Sequence, residues 1–138
     1  MITLKKSDYE KIVAHARSCL PEEACGLIGG TEANGVKTIE AVYLLENSDH
    51  SSEHFSISPQ EQLSAIKDMR QKGIQPLGNW HSHPETSSRP SEEDKRLFFD
   101  SKARYLILSL MDRENPVLNA FIVEHHTDVS KDELRIVD

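Results

Sequence analysis

His81-Ser82-His83-Pro84, followed after a polar stretch by Ser91-Glu92-Glu93-Asp94, are the residues of this chain whose types and spacing can do chemistry. Two histidines at i and i+2 on a β-strand face the same way, because strand side chains alternate, so both imidazoles can reach one metal ion. Gly78-Asn79-Trp80 leads into the pair from the apolar segment Ile74 to Leu77, which places the histidines where a strand leaves the core, and Pro84 stops that strand. The loop from Glu85 to Pro90 can then fold back and bring the carboxylate of Asp94, on the first turn of the next helix, to the same ion. Two neutral imidazoles and one carboxylate leave a fourth tetrahedral position for water, the pattern of a catalytic rather than a structural zinc.

Each half of this pattern has a plainer explanation. Ser91 and Asp94 alone spell a helix-capping box, and Ser7-Asp8-Tyr9-Glu10 and Ser58-Pro59-Gln60-Glu61 offer the same spelling. A lone pair of histidines is equally common on an exposed strand. Together, with Pro84 directly after the second histidine, the two are far rarer by chance. H-S-H-P, six further residues, then S-x-x-D, preceded far upstream by a glutamate in the setting P-E-E-A-C-G-L, resembles the JAMM signature of the MPN+ (Mov34/MPN/PAD-1) zinc metalloproteases. The resemblance spans Glu23 to Asp94 in the right order. It implies one zinc per chain held by His81, His83 and Asp94. It also implies a general base at the upstream glutamate, which by its place two residues before Cys25-Gly26 is Glu23 rather than Glu22. The serine that helps stabilise the tetrahedral intermediate falls on Ser91.

Glu23 is suited to accept a proton, because it lies between Pro21 and the apolar run Cys25 to Ile28, where a helix gives way to a strand and a side chain can face a cleft wall. Without the resemblance, a solvated charge beside Glu22 is the commoner state of such a residue. Cys25 reads as a small buried strand residue rather than a nucleophile, since no histidine adjoins it in sequence. His15, His50, His54, His125 and His126 read as surface or supporting groups.

Length and composition fit a single domain over residues 1–138. With 37% hydrophobic residues the chain can fill one core. The net charge of −7 argues against nucleic acid, whose phosphates call for a basic stripe. No apolar run approaches the roughly 20 residues that cross a bilayer, and Met1-Ile2-Thr3-Leu4-Lys5-Lys6 lacks the apolar core of a signal peptide. A cytoplasmic protein without membrane partners is expected. Cys19 and Cys25 are too few for a disulfide framework and should stay reduced.

Around the chemical residues the elements alternate. Ser7 is expected to cap a helix through about Leu20, striped by Tyr9, Ile12, Val13 and Ala16. Cys25 to Gly30 reads as a strand, turning at Glu32-Ala33-Asn34-Gly35 into its partner, Val36 to Leu45. Asn47 to Glu53 is a polar loop and His54 to Ile57 a short strand. Ser58-Pro59 opens a helix through about Gln71, ended by Gly73. After the histidine strand come the Ser91 helix through Phe99, strands Tyr105 to Met111 and Val117 to Glu124, and an edge strand from Leu134 to Val137. The fold class is α/β, a mixed, mostly antiparallel sheet flanked by helices. The resemblance implies a JAB/MPN-like, cytidine-deaminase-like architecture.

The resemblance also implies hydrolysis of a peptide or isopeptide bond after the C-terminal glycines of a ubiquitin-like protein. A compact chain without insertions is similar to members that process sulfur carriers, small β-grasp proteins ending in Gly-Gly. An extended glycine tail suits a strand edge, because β-augmentation reads backbone, and Asn47 to Ile57 is the candidate edge. A zinc peptidase acting on cell-wall or phage-tail peptides would use the same site residues, and a non-catalytic MPN-type scaffold is the alternative from the binding class. The scaffold is disfavoured because such modules lack the metal ligands. A cytidine deaminase would want a P-C-x-x-C pair, which is missing.

Overall fold

The computed structural model describes residues 1–138. Chain order runs β1 (Ile2–Lys5), α1 (Lys6–Cys19), β2 (Cys25–Ala33), β3 (Val36–Leu45), α2 (Pro59–Lys72), β4 (Gln75–His83), α3 (Glu92–Leu97), β5 (Arg104–Ser109), β6 (Val117–Glu124), β7 (Asp128–Asp132) and β8 (Leu134–Val137). All the strands join one sheet in the order β7-β6-β5-β4-β2-β3-β1-β8. The pairs β2–β3, β2–β4, β5–β6 and β6–β7 are antiparallel, and β1–β3, β1–β8 and β4–β5 are parallel. The mixed, mostly antiparallel α/β class read from the sequence is the class observed. The two outermost strands, β7 and β8, are separated in sequence only by Glu133, so the sheet curls until its edges are successive stretches of one chain. No helix is long and apolar enough to cross a membrane.

One face of the sheet carries α1. Its stripe Ile12, Val13 and Ala16 packs into a buried cluster with Ile2, Leu4, Ile28, Trp80, Leu106 and Leu108. Burying each such side chain contributes roughly 1.5–3 kcal/mol, so this layer supplies most of the apolar stabilisation. Because Trp80 and Ser82 alternate with His81 and His83 along β4, the histidines face the opposite way, toward α2 and α3. There Phe98 stacks on Tyr105 with ring centroids 3.9 Å apart and meets the His81 ring at 6.0 Å.

Gly26 lies against Trp80, where no larger residue fits. The Trp80 indole N–H donates to the Tyr43 carbonyl at 3.1 Å, and a Cβ on Gly26 would lie 1.7 Å from that carbonyl oxygen and 2.4 Å from the indole nitrogen. Gly26→Ala should therefore cost about 3 kcal/mol or more, combining an overpacked core with a broken buried hydrogen bond. Urea unfolding of the two proteins measures it; a loss below about 1 kcal/mol would show that the sheet can give way there.

Several sequence expectations change in the structure. The first helix begins at Lys6, and Ser7 is not its cap; the residue at that position is Lys5, which makes no side-chain capping bond. The chain enters α1 straight from β1, a strand the sequence reading missed, so strand pairing rather than a cap fixes the start. Residues 54–57 pair with no strand and form a loop. The last helix stops at Leu97 rather than Phe99, and β7 was not foreseen. β5 ends at Ser109 rather than Met111, and β2 runs on to Ala33. The turn and cap expectations agree: Asn34 and Gly35 take φ of 54° and 77° in the β2–β3 turn, Ser58 caps α2 by accepting from the Glu61 N–H, and Gly73 ends α2 at φ 71°.

Candidate metal centre and active site

The site assembles where β4 ends. His81 pairs with Cys25 on one side and Ile107 on the other, which puts it in the middle of the sheet and fully buried. After Pro84 the chain turns back under several holds. The Ser109 hydroxyl donates to the Thr86 carbonyl and the Ser88 hydroxyl to the Ile107 carbonyl, both at 2.6 Å, and Arg113 donates to the carbonyls of Pro84 and Leu110. The return delivers Ser91 and Asp94 to the histidines. Ser91 Oγ accepts from the Asp94 N–H at 3.0 Å while the Ser91 N–H donates to Asp94 Oδ2 at 2.9 Å, a complete capping box. The capping and ligand readings of this segment are therefore compatible, because the cap itself aims the carboxylate.

Three atoms then converge. His81 Nε2 lies 3.0 Å from His83 Nε2 and 3.2 Å from Asp94 Oδ2, and His83 Nε2 lies 3.1 Å from the same oxygen. All three residues are buried, and their donor atoms form a group able to hold a metal ion. The Ser87 carbonyl, 3.0 Å from His83 Nδ1, can only accept, so a neutral His83 carries its proton on Nδ1 and turns a bare Nε2 lone pair toward the other two atoms. Lone pairs facing one another at this distance repel unless a proton or a cation lies among them, and a divalent ion would serve all three atoms at once. Bond lengths of about 2.0–2.2 Å to a tetrahedral ion place ligand atoms roughly 3.3 Å apart, close to the observed triangle. The donor set fits zinc.

Electrostatics agree with the geometry. Burial holds the His81 imidazole below its usual range and so keeps it neutral, as a ligand must be. Burial alone would raise the Asp94 carboxyl, but the imidazoles of His81 and His83 and the Ser91 N–H set against it together outweigh that and hold it well below the usual carboxylate range. Glu23 is the opposite case. It is 4% exposed, its Oε1 has no hydrogen-bond partner, and burial, assisted by the negative fields of Asp94, Glu93 and Glu53, pushes its carboxyl up to about 9. A carboxyl raised this far holds its proton at neutral pH, and a divalent cation held by His81, His83 and Asp94 would offset those negative fields and favour the ionised form that can accept one.

The expected residues thus occupy one locality. His81, His83 and Asp94 touch one another, Ser91 adjoins Asp94, and Glu23 lies within the electrostatic reach of Asp94. The Cys25 thiol is fully buried and pushed up to about 12, chiefly by burial, in keeping with a packing residue. Of the remaining histidines, His50 and His54 pair with surface carboxylates, and His15 rests edge-on against Trp80 at 6.0 Å.

Three contributors were not legible as such. Ser82, between the two histidines, receives the Ala24 N–H on its hydroxyl at 2.8 Å and donates its own N–H to the Ala24 carbonyl at 2.9 Å, pinning the residue next to Glu23. Phe55 stacks on the His81 ring at 4.6 Å. Asn47 is buried within the loop that carries Phe55. The Asn47-Ser48-Asp49 stretch has the look of an Asx turn, the one signal that could have marked it.

A model of the family described as prokaryotic homologs of the JAB domain matches residues 5–122. The chain is 31% identical to the CysO-cysteine peptidase of Mycobacterium tuberculosis (strain ATCC 25618 / H37Rv) over 121 residues, covering 88% of this chain and 82% of that protein. It is 26% identical to the desampylase of Pyrococcus furiosus over 129 residues, covering 94% and 85%. The solution structure of DSY2949 from Desulfitobacterium hafniense superposes with a TM-score of 0.92 at 49% identity, over 100% of this chain and 94% of that one.

Proposed function

The chain belongs to the family of prokaryotic homologs of the JAB domain, and from that premise we propose that it is a zinc-dependent hydrolase cleaving the bond after the C-terminal Gly-Gly of a small ubiquitin-like sulfur-carrier protein. The observation that carries the reading is the convergence of His81, His83 and Asp94, with the buried Glu23 two residues before the strand position that pairs with His81. The name CysO-cysteine peptidase, borne by a relative of nearly this length, supports the choice of a carrier-protein substrate.

His81, His83 and Asp94 would hold the zinc. When bound, the ion polarises a carbonyl and lowers the pKa of water from about 15.7 to about 7. Glu23 then accepts the proton of the attacking water and returns it to the leaving amine. The Ser91 hydroxyl, whose oxygen accepts the Asp94 N–H, keeps its own proton free to donate to the oxyanion. Phe55 and Phe98 against His81 exclude water from one side of the site.

The expected tail-holding strand at Asn47 to Ile57 needs revision, because the segment forms no strand and the Ser56 N–H and His54 carbonyl are already bonded to Asn47. We therefore place glycine selectivity in a passage to the metal that would admit no Cβ. Replacing the partner's last glycine by alanine should lower kcat/KM at least about tenfold, or about 1.4 kcal/mol of transition-state binding. Equal cleavage of the alanine-ended partner, or of unrelated short peptides, would leave a general zinc peptidase in place of a carrier-processing enzyme.

A further inference from the structure

Asn47 is 6% exposed, although it lies in a loop of polar residues. Its amide nitrogen donates to the carbonyls of Glu23 and His54, both at 3.0 Å, and more weakly to Ser51 at 3.4 Å. Its Oδ1 accepts from the N–H groups of Asp49 at 3.0 Å and Ser56 at 3.2 Å. The loop returns the favour at the same point: the Glu23 N–H donates to the Ser51 carbonyl at 2.8 Å. Both backbone polar groups of Glu23 are therefore held by the loop from Asn47 to Ser56. The next residue, Ala24, has both of its own groups held by Ser82, which is flanked by the two histidines.

From this arrangement we infer that Asn47 is a positioning residue, which fixes the Glu23 backbone against the metal ligands and seats Phe55 on His81. The inference rests on the reading of Glu23 as the base. Glu23 belongs to neither helix nor strand, lying between α1 and β2, so no regular ladder sets its place. A carboxyl that must reach one water molecule is sensitive to shifts of about 1 Å, and misplacements of that size cost on the order of 100-fold in rate. Asn47 has the chemistry for the task, because one planar amide both donates and accepts and so can bond a loop and a neighbouring segment at once. A serine in its place could keep the turn by accepting from Asp49, but it is too short to reach the Glu23 carbonyl.

The test uses the full zinc-loaded chain carrying Asn47→Ala, with Asn47→Ser as the variant that retains the turn should alanine not fold. Amide exchange of Glu23, followed by NMR, should speed at least about tenfold while Leu106 and Leu108 in β5 keep their protection. Zinc content should stay at one per chain, and kcat should fall roughly 10- to 100-fold with KM within about twofold of the parent. Unchanged exchange at Glu23, or kcat within about twofold of the parent, overturns the assignment. A raised KM with unchanged kcat also overturns it, by placing the loop in substrate binding. Glu23→Gln, measured alongside, separates the two ideas: near-normal turnover there removes the base reading itself, whereas a dead Glu23→Gln with a fully active Asn47→Ser removes only the role of Asn47.

Discussion

Alanine at His81 or His83 is expected to abolish hydrolysis, and added zinc should not restore it. Each substitution removes one of the three converging ligand atoms, and two remaining ligands hold the ion too weakly to keep it through purification. The loss should equal that of the parent protein stripped by a chelator, because both lack the same ion. Two features of the site let folding and function be separated. His83 lies at the end of β4, where its ring bonds to the Ser87 carbonyl, so its replacement disturbs a loop. His81 is fully buried between Phe55 and Phe98 on a central strand, so its replacement also opens a cavity, at about 3 kcal/mol or more. Turnover and circular dichroism of both variants check this. A folded His83→Ala protein with more than about a tenth of the parent activity would contradict a catalytic ion at this place.

Glu23→Gln should keep the zinc and lose roughly 100- to 10,000-fold in kcat, the usual contribution of a general base, or about 3–5 kcal/mol. Glutamine matches glutamate in shape and keeps a carbonyl oxygen, so the packing around residue 23 is preserved while the proton acceptor is removed. Glutamate's carboxyl has no hydrogen-bonded partner to lose at Oε1, which makes a structural explanation of the rate loss harder to sustain. The pairing of full zinc occupancy with lost turnover is the signature of a base outside the ligand set. Near-normal turnover would exclude Glu23 from proton transfer, and lost zinc would place it among the ligands.

Much of the site was legible because strand periodicity and helix capping are local rules. The spacing of His81 and His83 puts both on one face whatever the rest of the chain does, Pro84 ends the strand, and Ser91 with Asp94 starts the next helix. The same locality made the Asn34-Gly35 turn and the Pro59 and Gly73 ends of α2 readable. What escaped depends on distant partners. β1 is four residues long and is held between β3 and β8, and β7, Asp128–Asp132, is almost wholly polar and is held by pairing with β6. Residues 54–57 have the composition of a strand but meet no neighbour, and their backbone turns to Asn47 instead. Ser82 reads as a spacer between ligands, and only the fold shows it clamping Ala24 from 58 positions away. For Glu23 the family resemblance supplied what local chemistry could not, since an acidic pair after a helix is ordinarily solvent-exposed, whereas Glu23 is buried and has its backbone bonded to the loop from Asn47 to Ser56.

Elemental analysis of the purified chain and of the His81→Ala, His83→Ala double variant tests the central claim most directly. One zinc per chain in the parent and none in the folded double variant is the predicted result. Full zinc occupancy in the double variant would place the metal elsewhere and contradict the site built on His81, His83 and Asp94.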